Sequence, residues 1–378
     1  MTRPRVVVAG LGDSGLLTAI HLARHADVVG VSTKPGLVSG QELGLRLARP
    51  DEWARDYRIG FDRFRAARSV RTVHGTLSGL DVAGRRVTVT LPDGASEHLT
   101  YDALVVATGV RNGFWRRPDL QTVAEVEADL LAAHRRLAES GSIVVVGGGA
   151  AAVSAAGNLA ARWPDTRVDL YFPGERALPH HHGRVWSAVR ARLERLGVGI
   201  HPGHRAELPA GGAPTEITSC PVRWSTGQEP VRADAVIWAV GAVRPNTDWL
   251  PPALLDDAGF VRVGPDLRVP DAPGVYAVGD VAATDPLRTS ARNKGHQVVA
   301  HNVRAELAGR TLRTYQAPRR RWGSVLGPQP DGLVVFAPDG RGFRIPRPVV
   351  RGVLQPVIVR WGIYRGIRRR GAAVDEDT

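Results

Sequence analysis

With 378 residues, 43% of them hydrophobic and 23% charged, the chain is long enough for two or three domains and is composed like a folded globular protein. The formal charge of +13 raises the question of nucleic acid, but lysine occurs only at Lys34 and Lys294 and no helix-turn-helix, zinc-finger or RNA-binding motif accompanies the arginines, so no nucleic-acid partner is expected. A single cysteine, Cys220, excludes a disulfide framework and a CxxC redox pair.

The chain enters a strand directly after Met-Thr-Arg-Pro-Arg, leaving no room for a signal peptide, and no apolar run reaches the length of a spanning helix. The expected location is cytoplasmic, or peripheral on the inner face of a membrane. Arg5–Ala9 is a short apolar run, followed by Gly10-Leu-Gly12-Asp-Ser-Gly15, a helical stretch to His25 and a second apolar run, Val28–Ser32. This order predicts a buried parallel strand, a tight turn, a helix and the next strand. Strands are then expected at Val70–His74, Arg86–Leu91 and Ala103–Ala107, and a helix over Val123–Ser140. The first pattern recurs as Ser142–Val146, Gly147-Gly-Gly149-Ala-Ala-Ala152, a helix to Trp163, and Val168–Phe172. Strands at Ala235–Val240 and Val275–Val278 and a helix at Gly295–Leu307 come next, with loops at Pro202–Pro214 and Pro318–Pro330. Beyond Tyr315 the pattern changes to short β segments, Trp322–Leu326 and Leu333–Phe336, and a basic apolar stretch from Val349 to Ile367. The acidic end, Val374–Thr378, reads as a short tail.

A lone GxGxxG carries little information, but two of them between strand and helix in one chain carry much more. In the first, Gly10 allows the tight turn, Gly12 lets backbone approach a pyrophosphate, Ser14 serves as a loop donor, and Gly15 permits close helix–strand packing. The helix start directs free N–H groups at the anion. The end of the following strand usually carries an acid for the ribose hydroxyls; here Ser32 and Lys34 stand there and could bind the ribose or a phosphate. Thr108-Gly109 and Gly241 close apolar strands in the manner of turns that pass near a dinucleotide, and Gly279-Asp280 places a carboxylate at the carboxyl end of a strand.

In combination, GxGxxG, Ala-Thr108-Gly109, the second glycine loop and Tyr-Ala-Val-Gly279-Asp280 resemble the pyridine nucleotide-disulfide oxidoreductase superfamily over about residues 5–310. Within it the chain is most similar to the branch of apoptosis-inducing-factor-like proteins and type II NADH dehydrogenases. The resemblance implies an α/β fold of two Rossmann-like dinucleotide-binding domains: an FAD domain in two pieces, 1–118 and 242–312, and an inserted NAD(P)H domain, 119–241. A C-terminal region, 313–378, follows. It implies FAD at Gly10, Gly12, Gly15, Thr108, Gly109 and Asp280, with Asp280 on the ribityl chain, and NAD(P)H at Gly147, Gly149 and Ala152. The redox cysteine pair of the family's disulfide reductases is absent, so electrons are expected to leave for a quinone or another non-disulfide acceptor.

Two departures touch the second site. Ser154 replaces the family's usual glutamate, and Phe172 replaces the acid after the next strand. With Arg176 and His180–His182 close behind, a 2′-phosphate partner and hence NADPH are favoured. Three consecutive histidines, with His201 and His204 later, do not make a metal site without a surrounding Cys/His/Asp framework, and none is expected. A helix start around Thr289–Gly295, with Arg288 and Lys294, is a candidate to stabilise charge on a reduced flavin, Lys294 being equally readable as a solvated helix residue. No catalytic side chain is assigned. Trp322, Trp361 and Tyr364 read as core or interface aromatics. Val350, Val353, Leu354, Val357, Trp361 and Tyr364 share one helical face flanked by arginines, giving either a membrane-surface contact or a packed segment, including a homodimer interface. The leading functional expectation is an FAD-dependent NAD(P)H oxidoreductase; the alternative is a flavin-binding regulatory or interaction protein with weak nicotinamide turnover.

Overall fold

Runs of valine and other apolar residues, favoured on pleated surfaces and buried on both faces, form the centres of two parallel sheets. The computed structural model describes residues 3–113, 115–208, 212–241, 243–284, 294–317 and 322–368. The first sheet has the order Val275–Ala277, Ala103–Val106, Arg5–Ala9, Asp27–Ser32, Arg71–His74. All its pairings are parallel, with Val6 opposite both Val28 and Ala103. The second has the order Gly199–His201, Arg167–Tyr171, Ser142–Val146, Ala235–Trp238, again parallel throughout.

The helices are α1 (Asp13–Leu22), α2 (Leu43–Ala48), α3 (Pro50–Tyr57), α4 (Val123–Ala138), α5 (Ala150–Arg162), α6 (Gly183–Arg195) and α7 (Gly295–Leu307). Helices α1 and α7 cover one face of the first sheet, burying Leu17, Ile20, Val299 and Val303 against Val6, Val8 and Val105. The antiparallel ladder Thr76–Asp81, Arg86–Thr90, Ser96–Thr100 contributes Val87, Val89 and Leu99 to the other face. Helix α4 starts at a complete capping box, Thr122 with Glu125, so the expected helix at 123 has a local cause. Two connections run between the sheets side by side: Val110–Arg111 pairs antiparallel with Arg244–Pro245.

The strands and helices expected around both glycine loops are present within a few residues. Helices α2, α3 and α6 and the outer ladder strands were not expected. Helix α2 contains Gly44 and a buried arginine within an apolar run, and its six residues are too few to display a period. It is held by the close approach of Gly44 to α5, where a Cβ would overlap the Ser154 carbonyl. Of the expected Trp322–Leu326 strand only one bridge forms, Gly323 to Phe336; the Leu333–Phe336 strand pairs instead with Gly342–Ile345.

The C-terminal face also needs correction. Val350–Ile363 winds as a π-helix, with the Tyr364 N–H donating five residues back to Val359 O at 3.2 Å and Pro356 inside it. Wider turns rotate successive side chains less, so positions aligned at 3.6 residues per turn drift apart. Val350 and Tyr364 are buried, whereas Val353, Val357 and Trp361 are 49%, 55% and 56% exposed. Trp322, expected in a core or interface, is exposed and stacks on the equally exposed Phe343. The end of the tail packs on the first sheet's core: Ile367 bridges Phe64, and the Tyr364 and Phe64 rings lie 5.3 Å apart. Among the described residues no helix is long and apolar enough to cross a membrane.

Candidate functional site

At the carboxyl end of the first sheet, where strand ends and helix starts converge, lies a cavity of about 630 Å³. That is within the range of small-molecule and cofactor sites. Residues from three distant stretches meet on its wall: Gly10, Gly12, Ser14, Ser32 and Lys34; Thr108 and Gly109; Gly279 and Asp280. Gly15 lies behind the wall, where a Cβ would overlap the Gly10 carbonyl oxygen. Gly10 has φ +99°, and a Cβ there would sit 2.6 Å from Ala107 O, so this turn admits no side chain.

The wall has the features of a ligand cradle. A Cβ added at Gly12 or Gly109 meets no protein atom within 4 Å, so both glycines back onto space that the protein leaves open. Helix α1 begins at Gly12 without a side-chain cap, leaving its first amides for an anion. The cavity residue Asn246 exchanges hydrogen bonds with Thr108: Thr108 Oγ1 donates to Asn246 O at 2.8 Å and Asn246 Nδ2 donates to Thr108 O at 2.9 Å. Its own side-chain oxygen is buried with no protein partner. A dinucleotide with a pyrophosphate, sugar hydroxyls and aromatic ends fits this donor and acceptor set.

Several wall residues escaped the sequence reading. Arg116 Nη1 donates to Asp280 Oδ2 at 2.8 Å, so the carboxylate has a cationic partner. Arg46 is 8% exposed, donates to Trp115 O at 2.7 Å, and lies over the Trp53 ring at 4.9 Å; burial pulls its pKa down to about 10. Asp13 accepts from Ser39 Oγ, the Gly40 N–H and Tyr364 O–H, fastening the first glycine loop to the tail. A charged residue in the apolar run of α2 was the one available signal for Arg46; nothing local marks Arg116, and Asp13, though inside the first glycine motif, carries no local sign of its bond to the tail. Lys34 lines the cavity, but its amine donates to Asp119 O and Gln121 Oε1.

The second glycine loop lies apart from this cavity. Gly147, Gly149, Ala152, Arg176 and Gly241 do not line it. Gly147 turns tightly against Ala239 O, and α5 begins at Gly149 without a side-chain cap, with open space at its Cβ position. Ala152 is fully buried in the core below. Gly241 has φ +78° and an open Cβ position. Phe172 is buried against Trp186, and Ser154 is buried in the α2–α5 contact, so neither replaced acid leaves a polar group at the surface. Arg176 is exposed, donating to Pro179 O and His181 O at 3.2 and 3.4 Å. His182 Nδ1 caps α6, accepting from the Arg184 N–H. His201 pairs with Asp169 at 2.9 Å and stacks on Tyr171. Among the described residues no cluster of potential metal ligands occurs. Lys294 is exposed at the start of α7, off the cavity wall, and Arg288 and Thr289 lie outside the described residues.

Comparison with known proteins agrees with this geometry. The family profile described as pyridine nucleotide-disulphide oxidoreductase matches residues 4–305. Oxidoreductase ptaL of Pestalotiopsis fici is 29% identical over 87% of this chain and 84% of its own length. The type II NADH:quinone oxidoreductase Ndh of Mycobacterium tuberculosis is 28% identical over 81% of this chain and 73% of its own. Among solved structures, a pyridine nucleotide-disulfide family oxidoreductase from Enterococcus faecalis V583 superposes with a TM-score of 0.64, at 17% identity, over 88% of this chain and 74% of that one.

Proposed function

Because the chain belongs to the pyridine nucleotide-disulphide oxidoreductase family, we propose that it is an FAD-dependent NAD(P)H oxidoreductase that passes electrons to a quinone or another non-disulfide acceptor. One observation carries the FAD assignment: Gly10–Ser14, Thr108–Gly109 and Gly279–Asp280, far apart in sequence, border a single cavity of about 630 Å³. The proposed division is an FAD domain (1–118 and 242–312), an NAD(P)H domain (119–241) and a C-terminal region (313–378).

FAD, when bound, supplies a hydride acceptor that can release its electrons singly or in pairs. The chain's part is to hold and orient. The uncapped start of α1 receives the pyrophosphate, with Gly12 giving it room. Asp280 takes the ribityl hydroxyls, for which its bond to Arg116 must be exchanged or shared. Gly147 and Gly149 at the start of α5 receive the nicotinamide dinucleotide. With Phe172 buried where a ribose-binding acid would stand, Arg176 favours NADPH through its 2′-phosphate. The absence of a cysteine pair favours an acceptor outside the chain, and the likeness to a quinone-reducing relative favours a quinone.

The absorbance spectrum of purified protein, followed by anaerobic stopped-flow mixing with NADH and NADPH, tests the whole reading. Flavin bands that bleach in milliseconds to seconds support it, and a colourless protein overturns it. The burial of Ser154 and Phe172 favours a second reading, a flavin-binding regulatory protein, and flavin bands that neither nucleotide bleaches would select it.

The exposed Val353, Val357, Ile358 and Trp361 beside Arg351 and Arg360 support a peripheral membrane contact that brings the flavin to a lipid-dissolved acceptor. Co-sedimentation with anionic liposomes, reversed by salt, is the expected result. A chain that ignores vesicles but dimerises through this face would place a homodimer interface there instead.

A further inference from the structure

Residues 115–121, which precede α4, all line the cavity. The segment is tied down at both ends and in the middle. The Trp115 carbonyl accepts from the buried Arg46 at 2.7 Å, and Arg116 reaches Asp280 at 2.8 Å. At the far end the Gln121 N–H donates to Thr33 O at 2.9 Å, and His74 Nε2 lies 3.1 Å from the Gln121 carbonyl. Gln121 Nε2 donates to Asp129 Oδ2 on α4 at 2.7 Å. Between these ties sits Lys34, whose amine donates to both Asp119 O and Gln121 Oε1. Both acceptors belong to this segment, so the ammonium is directed at protein carbonyls rather than at the open cavity.

We propose that Lys34 is a positioning residue: it fastens residues 115–121 as a strap over the dinucleotide cavity and so governs how slowly the bound cofactor escapes. The inference rests on the reading of this cavity as the FAD site. It also accounts for the absence of an acid after the second strand. A carboxylate near position 34 would repel Asp119 and Asp129, whereas a cation can bond the strap's oxygens. The charge-assisted bonds from Lys34 add to the ties made by Arg46 and Arg116, each strong because one partner is ionised. Release of a ligand then requires them to break together, which makes escape slow even where equilibrium binding is shared among many contacts.

The test compares wild type, Lys34→Met and Lys34→Arg in the full chain, with two readouts. Amide hydrogen exchange of residues 115–121 reports strap opening whatever the cavity holds, and recovery of FAD fluorescence on dilution reports cofactor release. Lys34→Met is expected to speed both by about tenfold or more, the scale of losing a hydrogen bond to a charged group, and Lys34→Arg to restore most of both. Unchanged exchange in Lys34→Met overturns the proposal; if FAD release alone accelerates, Lys34 is a direct ligand and the strap role is likewise overturned. Should Lys34→Met fail to fold, Gln121→Leu removes the partner from the strap side and carries the same two outcomes. A wild type without FAD would defeat the cofactor assignment, while the exchange comparison would still decide whether Lys34 holds the strap.

Discussion

The two glycine loops share a strand, a tight turn and an uncapped helix start, yet their surroundings differ. The first opens into a walled cavity lined by residues 115–121, Arg46 and Asp280. The second is backed by apolar side chains: Gly148 abuts Phe172, the Leu178 N–H donates to Gly148 O at 2.7 Å, and only the edge at Gly149 faces open space. The same backbone motif thus borders a walled cavity in one place and an open edge in the other. Enclosure suits a cofactor that stays, and an open edge suits a co-substrate that must leave each turnover.

The largest effect should come from placing a side chain in each loop. At Gly12 an added Cβ meets no protein atom within 4 Å, so Gly12→Val should leave the fold intact while flavin absorbance disappears. Gly149→Val should do the reverse: a yellow protein that neither nucleotide bleaches. Loss of colour in Gly149→Val, or full colour in Gly12→Val, would break the comparison. Next comes Asp280→Ala, which removes hydrogen bonds of about 1.5–3 kcal/mol each from a charged acceptor and should weaken flavin binding at least tenfold in a dialysis titration. Equal retention would remove Asp280 from the site.

A smaller change belongs to the open loop. Arg176→Ala should lower kcat/KM for NADPH by about tenfold and leave NADH nearly unchanged, because only the former offers a 2′-phosphate. A wild type that prefers NADH refutes the role of Arg176 alone.

The mildest prediction concerns pH. The rings of His21 on α1 and His296 on α7 lie 5.4 Å apart, tilted by 49°, and the Arg365 guanidinium reaches His21 Nδ1 at 3.1 Å. Burial first pulls both histidines down to about 4; Arg365 then adds to the effect at His21, and His21 followed by Arg365 adds to it at His296. Their folded pKa lies below the unfolded value near 6.5, so the unfolded chain binds more protons as pH falls from about 6.5 to 4, and stability declines across that window. The thermal midpoint should be lower at pH 5 than at pH 8 by about 5 °C or more, with His296→Asn shrinking the difference. An unchanged difference in that variant would assign the acid sensitivity elsewhere.

Much of this was legible in the sequence, and the reasons are local. Val6–Val8 and Val144–Val146 are strands in any context that buries them, and the glycines between strand and helix mark positions where only a bare backbone fits, as Gly10 shows with its left-handed φ. The capping box at Thr122 announces α4 in four residues. Arg116 was not legible because its partner Asp280 lies 164 positions away. Helix α2 was hidden because its stability comes from lying against α5 rather than from its own six residues. The tail misled because its spacing was read at 3.6 residues per turn, whereas the chain around Pro356 winds more widely.

The contact of Gly44 with Ser154 has a mechanical consequence. No side chain separates α2 from α5 there, and Asn158 on α5 locks the joint by accepting from Arg49 and Gln329 and donating to the Leu326 carbonyl. Helix α5 starts at the second glycine loop, and α2, two residues past Gly44, carries Arg46 into the wall of the cavity. With backbone against backbone there is no soft layer to absorb a displacement. The second glycine loop and the guanidinium that holds the Trp115 carbonyl are therefore joined through a single backbone-to-backbone contact.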